Sequence, residues 1–476
     1  MKQEDGVRIP EPRIKLPLLG HLFYLKSNLI EAFRDLSSKL GSIYRLKLGD
    51  QTLILISDLE LIREVCDDTR FGKYVAANTR YLFRNGVLVA ETNGPFWGKA
   101  HRILLPGFKP QTIQENYFPE IVDVAKQLLK KWENTPKGKE INLNVGLSSA
   151  TLDFIGLCAF NFHFNALSSD ETHPYIKKLD EVFSYIQKSS FLPGFLTKLQ
   201  FRKNRAWEDN VSSLYKYADD ILEERKKQNG LSSGRKDLLS MMLHDVDRIT
   251  NEKLNTADVR EEIVNLLVAG AETNSSLLTS AFYALMTHPH VLEKAYEEVD
   301  RVLGTDINKP LSPQDFLRLT YVNKILNECL RLWPPVFLIE RTPLKDTLLG
   351  GKYSVKKGED IWLLYVILHR DKVIWGKDAD SFNPDRFDQE FMAKLDPCAF
   401  LPFGVGSRTC MGRQLAMFVV PVILGMILQR YRLHLRPKYK FGLTVSITLR
   451  FNPMWVTLEK RECNPIIQKQ ENVSGS

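Results

Sequence analysis

Two periods run through the hydrophobic pattern of this chain, and the architecture changes where one gives way to the other. Residues 43–48 and 52–56 are apolar-rich and β-branched, with Gly49-Asp50 between them, so they read as a hairpin. From about 58 to 335 the period is mostly helical. Pro106-Gly107 breaks one of these helices. Ile121, Val124, Ala125, Leu128, Leu129 and Trp132 recur on one face of a later one. Residues 255–287 read as a single long helix starting near Asn255-Thr256. Its middle, 263–271, is mostly apolar, which sends it through a core.

After Pro334-Pro335 the period becomes that of short strands and turns, punctuated by Gly350-Gly351 and Lys357-Gly358. A further helix spans about 411–429, with Pro421 inside it, where a kink or a compensating contact is expected. Strand-like residues return at 443–457, and 1–27 hold several prolines and read as irregular. Helices in the middle with strands drawn from both ends argue one mixed domain, mainly α with small β-sheets, over 1–460. Residues 461–476 read as a polar tail or linker. No stretch reaches the roughly 20 apolar residues of a membrane helix. Residues 16–19 are too short to span and lack a signal-peptide pattern. The expectation is a cytoplasmic protein with no transmembrane segment.

Composition narrows the class. The chain has 476 residues, 44% hydrophobic and 26% charged, enough for a large core that encloses a cofactor. A net charge of +8 is too weak to argue nucleic acid and fits docking to an acidic protein partner. The six cysteines are scattered, without a CxxC pair or zinc-like spacing, as in a reducing compartment.

One cysteine carries chemistry. In Phe403-Gly404-Val405-Gly406-Ser407-Arg408-Thr409-Cys410-Met411-Gly412, a loop with two glycines enters an apolar helix with Cys410 at the junction. Exposed N–H groups at a helix start stabilise a thiolate and lower its pKa. Gly404 and Gly406 let backbone approach a flat cofactor, Phe403 is placed to shield the sulfur, and Arg408 to pair with a carboxylate on the cofactor edge. A lone cysteine in a glycine turn is more often structural. The whole segment, however, matches Phe-x-x-Gly-x-Arg-x-Cys-x-Gly, and here the sequence resembles the cytochrome P450 family of haem-thiolate monooxygenases.

Other motifs follow in that family's order. Glu328 and Arg331 share a helix face, and Arg386 resembles the third member of a buried charge cluster, to which no chemistry is assigned. The long helix carries Ala269-Gly270-Ala271-Glu272-Thr273. Gly270 leaves a groove for a diatomic ligand, and Thr273 Oγ is placed to bond the carbonyl four residues back. The resemblance implies that Thr273 helps deliver protons to bound oxygen and that Glu272 feeds that relay. Trp97, His101 and 103–106, with Ile155-Gly156-Leu157-Cys158, resemble the soluble bacterial fatty-acid hydroxylases fused to their reductase. Trp97, His101, Lys73 and Arg341 are candidates to reach the haem propionates, beside Ala269, Gly270, Phe403, Arg408 and Gly412 at the haem and Cys410 on its iron.

The resemblance implies one domain enclosing haem b, with O2 and NADPH-derived electrons arriving through a reductase. The donor would be a flavodoxin-like or ferredoxin-like protein or domain, separate from these 476 residues. The implied substrate is a medium- or long-chain fatty acid or related lipid, in a pocket walled by Leu88, Ala269, Val336 and Leu338. The fused hydroxylases anchor a carboxylate where this chain has Gln51 and Leu55, so neutral lipids or terpenoids are the alternative. An isomerase or peroxygenase needs no relay such as Glu272 and Thr273. A non-catalytic haem sensor or scavenger would carry no coupled oxygen consumption.

Overall fold

The computed structural model describes residues 7–25, 28–92, 94–190, 192, 199–228 and 237–461. Apart from Arg461, the expected tail lies outside them. The axis is the helix Thr256–Thr287, 32 residues long. Asn255 starts it: its side chain accepts from Asp258 N–H at 2.9 Å, and Asp258 accepts from Asn255 N–H at 3.1 Å. The helix packs against Leu143–Phe160, and contact is closest at Gly270. A Cβ there would lie 2.6 Å from Ile155 Cδ1, so the Ile155 side chain seats on the long helix only because residue 270 has none.

The hairpin forms as expected, Ile43–Leu48 against Gln51–Ile56, with Leu48 opposite Gln51. It opens a five-stranded sheet that continues through Asp360–Leu363, Ile339–Pro343 and Phe71–Lys73. A second sheet joins Ile141–Asn142, Trp455–Lys460 and Tyr431–Leu435. The last of these strands follows directly on the helix Arg413–Arg430, where the periodicity alone shows no strand.

The helix Arg413–Arg430 continues through Pro421, which is buried. One expectation changes. Two apolar stretches, Leu143–Phe160 and Gly406–Arg430, are long and apolar enough to cross a membrane by length and composition. The expectation of no such stretch is therefore corrected. They are 83% and 67% buried within the protein, and a helix wrapped on all sides needs no polar face. The charge in the first, Asp153, is masked by the N–H groups of Ala166 and Leu167 at 2.8 and 3.0 Å.

A fully buried ion pair ties the C-terminal loops to the helical body. Arg331 grips Glu328 through two hydrogen bonds of 2.6 and 2.7 Å. Its other N–H groups reach the carbonyls of His369, Ala379 and Ser381 at 2.7, 2.6 and 3.1 Å. Arg386 lies 3.8 Å from Glu328 and binds Asp378 at 2.7 Å, completing the expected cluster. One guanidinium thus satisfies three separate loop carbonyls at once.

Glu328→Ala is expected to destabilise the fold by about 3–5 kcal/mol, the cost of stranding a buried charge. Lys394→Ala, which removes an exposed i,i+4 pair with Glu390, should leave the thermal midpoint unchanged. Comparing the two by thermal unfolding of the haem-loaded protein tests this. Gly270→Ala should cost about 1–3 kcal/mol through overpacking, part of which Ile155→Ala recovers in the double variant.

Candidate active site

The cysteine loop is shaped by its two glycines. Gly404 and Gly406 have φ of +75° and +73°, the left-handed region. The turn they make lets Cys410 N–H donate to Phe403 O at 2.8 Å. Asp68 braces the loop from outside, accepting from Ser407 N–H at 2.9 Å and Ser407 Oγ at 2.6 Å. Ile339 packs over Gly404, with its Cδ1 3.8 Å from where a Cβ would stand.

Cys410 is reachable by solvent yet closely surrounded by protein, as a group on a concave interior wall is. Burial pushes its thiol up. The N–H groups of Gly412 and Arg413, and the Arg413 charge, pull it down by less. The helix-start effect expected from the sequence is present, but burial outweighs it. Gly412 is the residue before the helix begins, and Phe403 lies beneath the Arg413 guanidinium at 5.7 Å.

Cations gather on one side of this loop. Arg341 and Lys73 are direct cross-strand partners. Arg341 is 2% exposed, lies 3.6 Å from Asp68, and its Nε has no hydrogen-bond partner among the described residues. Burial and then Arg341 bring the Arg408 guanidinium down to about 10. Burial and then Arg408 bring Lys73 down to about 8. His101 is lowered by burial and then by Arg408. It stacks on Trp97 with ring centres 4.9 Å apart, and Arg408 lies over the same indole at 4.7 Å. A group of cations in which Arg341 lowers Arg408 and Arg408 lowers Lys73 and His101, with a buried orphan N–H on Arg341, fits the two propionates of haem. The thiol of Cys410 fits its iron.

Arg408 is also occupied with the chain itself. It donates to Thr92 Oγ1 at 2.8 Å, to Val87 O at 3.0 Å and to Ala90 O. Lys73 donates to Leu88 O. The segment around Leu88 is pinned from the other side by the central helix. Glu262 accepts from Val87 N–H at 2.7 Å, and Asn265 accepts from Leu88 N–H at 3.3 Å. These two polar residues on a core stripe were visible in the sequence, but only the fold gives them a partner.

Every residue of the central helix from Glu262 to Phe282 is buried except Ala269, Gly270 and Thr273. Those three are the partly accessible positions where a reaction could face the helix. Thr273 Oγ1 donates to Ala269 O at 2.7 Å, the bond expected. At Gly270 the space a side chain would need belongs to Ile155 and is a helix contact. Glu272 turns elsewhere: Thr448 Oγ1 reaches its carboxylate at 2.8 Å, and Arg450 grips both its oxygens. Arg450 also holds Asp180, on the helix Pro174–Ser190. The structure therefore does not bring Glu272 to the accessible face that Thr273 shares. Among the other pocket candidates, Val336 is 40% exposed, and Leu88 and Leu338 are partly buried against the main core. Leu55 is fully buried and Gln51 partly so.

A family model described as Cytochrome P450 matches residues 10–446. The bifunctional cytochrome P450/NADPH–P450 reductase of Bacillus cereus is 37% identical over 450 residues, 93% of this chain and 41% of its own length. A self-sufficient cytochrome P450 monooxygenase of Phanerodontia chrysosporium is 33% identical, over 96% of this chain and 43% of its own. The crystal structure of the cytochrome P450DA heme domain is similar with a TM-score of 0.88 at 33% identity, covering 96% of this chain and 98% of that one. The chain spans about two fifths of the length of the curated relatives it matches. With its cysteine loop, cation group and central helix arranged as described, this chain belongs to the cytochrome P450 family.

Proposed function

We propose that this chain is a haem-thiolate monooxygenase domain acting on a C–H bond of a hydrophobic substrate, a medium- or long-chain fatty acid or related lipid. The observation that carries this is Cys410, set on an interior wall with N–H donors aimed at its sulfur, in a fold whose central helix is accessible at Ala269, Gly270 and Thr273. Electrons would come from NADPH through a reductase, the second function printed in the names of the bifunctional relatives.

Haem, when bound, supplies the chemistry that activates dioxygen and inserts one of its atoms into a C–H bond. Cys410 would hold the iron, and Gly412, Arg413 and the Arg413 charge would stabilise negative charge on its sulfur. Arg341, Lys73, His101 and Trp97 would hold the propionates, with Arg408 binding both cofactor and the Leu88 segment. Thr273 would hold and pass a proton at its Oγ1, giving up the bond to Ala269 O as it does so. Glu272 has both oxygens engaged by Arg450, so it enters this relay only when Arg450 moves. Leu88, Ala269, Val336 and Leu338 would exclude water and orient the apolar chain.

In Cys410→Ser, the carbon-monoxide complex of the reduced protein is expected to lose the thiolate absorbance band, and product formation should cease. Cys158→Ser, at a buried thiol beside Tyr117 O, should keep both. A thiolate band surviving in Cys410→Ser would overturn the assignment. Thr273→Ala should retain haem and reduction but consume severalfold more NADPH per product formed. Unchanged coupling would remove Thr273 from the proton path.

A further inference from the structure

One face of the five-stranded sheet carries two carboxyls on the side that Leu55 shares. Leu55 pairs with Trp362, and Trp362 pairs with Glu340, so these three form one cross-strand row. Side chains alternate along a strand, so Asp360, two residues before Trp362, shares their face. Asp360 is 6% exposed. Its Oδ2 accepts from Trp362 Nε1 at 3.1 Å, while Oδ1 has no partner among the described residues. Glu340 is only partly covered, so its carboxyl meets solvent from within a crowded surround.

The electrostatics agree with this geometry. Burial pushes Glu340 up to about 7, and Lys73 is what opposes it. Burial, and then Glu340, push Asp360 up to about 8. Tyr74 is raised by burial and then by Asp360 and Glu340. The Lys73 ammonium is committed to Leu88 O. Gln51 and Leu55 bring no positive charge.

We propose that Glu340 and Asp360 form a cation subsite beside Leu55, so that this enzyme prefers hydrophobic substrates bearing a positively charged nitrogen over fatty acids. The inference rests on the monooxygenase reading and replaces its fatty-acid substrate with a cationic one. Two carboxyls held close in a poorly solvated site repel each other when both ionise, and a cation between them relieves that repulsion. The rings of Trp362 and Tyr74 add electron-rich faces that favour an alkylammonium. A carboxylate headgroup would bring no charge that favours ionisation of the pair. The apolar tail would then run past Leu88 toward the accessible face of the central helix.

The test is a haem spin-state titration of the haem-loaded protein with three ligands of equal chain length, kept below their micelle thresholds. They are an alkyltrimethylammonium, which cannot ligate iron through nitrogen, the fatty alcohol and the fatty acid. The ammonium is expected to bind about tenfold tighter than the alcohol, the order set by one desolvated charge pair, with the acid weakest. Glu340→Gln should bring the ammonium-to-alcohol ratio close to one. Asp360→Asn gives a second reading should the first variant fail to load haem. Alcohol binding equal to ammonium, or acid binding tighter than both, overturns the subsite and leaves the monooxygenase reading standing. Loss of the ratio in neither variant also overturns it. A wild-type protein without the thiolate band overturns the monooxygenase reading itself.

Discussion

Negative charge on a sulfur in an apolar interior is the demand around which this structure is arranged. Burial by itself favours the neutral thiol of Cys410. The chain opposes it with oriented backbone: two N–H groups at a helix start and the Arg413 charge behind them. That orientation depends on a loop with two left-handed glycines, and the loop depends on Asp68 and on Arg408 to stay in place. Farther out, Arg331 gathers three carbonyls of two chain segments onto the helix that also bears Glu328. Each layer satisfies groups that the layer inside it leaves exposed to desolvation.

The cations beside the loop make sense on the same terms. Arg341 lowers Arg408, and both lower Lys73, which disfavours the fold when they stand alone. Asp68 answers only part of that charge, at 3.6 Å from Arg341. On the proposed reading the carboxylates of haem would answer the rest, which makes the arrangement half of an ion-pair network.

Local features were legible in the sequence. The Cys410 segment, the hairpin and the capped helix Thr256–Thr287 are each written within a few consecutive turns of chain, where period and capping chemistry act. What escaped depends on distant partners. The strand Tyr431–Leu435 exists because Trp455–Lys460 pairs with it. Arg450 meets Glu272 from 178 positions away, beyond any periodicity. A missing side chain at Gly270 does not announce that Ile155 packs where a Cβ would stand. The direction of the Cys410 shift needed the extent of burial, which no motif encodes.

The central helix shows how adjacent residues come to serve different neighbours. Glu262, Asn265, Ala269 and Thr273 recur at spacings of three and four, so they form one stripe. At one end of that stripe polar side chains fasten the Leu88 segment, and Gly86 permits the contact because a Cβ there would strike Asn265 Nδ2 at 2.0 Å. At the other end the stripe is apolar and accessible until Thr273. Glu272 is turned from Thr273 by about 100° of helix. That rotation delivers its carboxylate to Arg450 and Thr448 on the far side. A single helix therefore fastens the Leu88 segment, keeps the Thr273 hydroxyl on a partly accessible face and stores a charge in an ion pair. It does so by face, so neighbours in sequence need not be partners in chemistry.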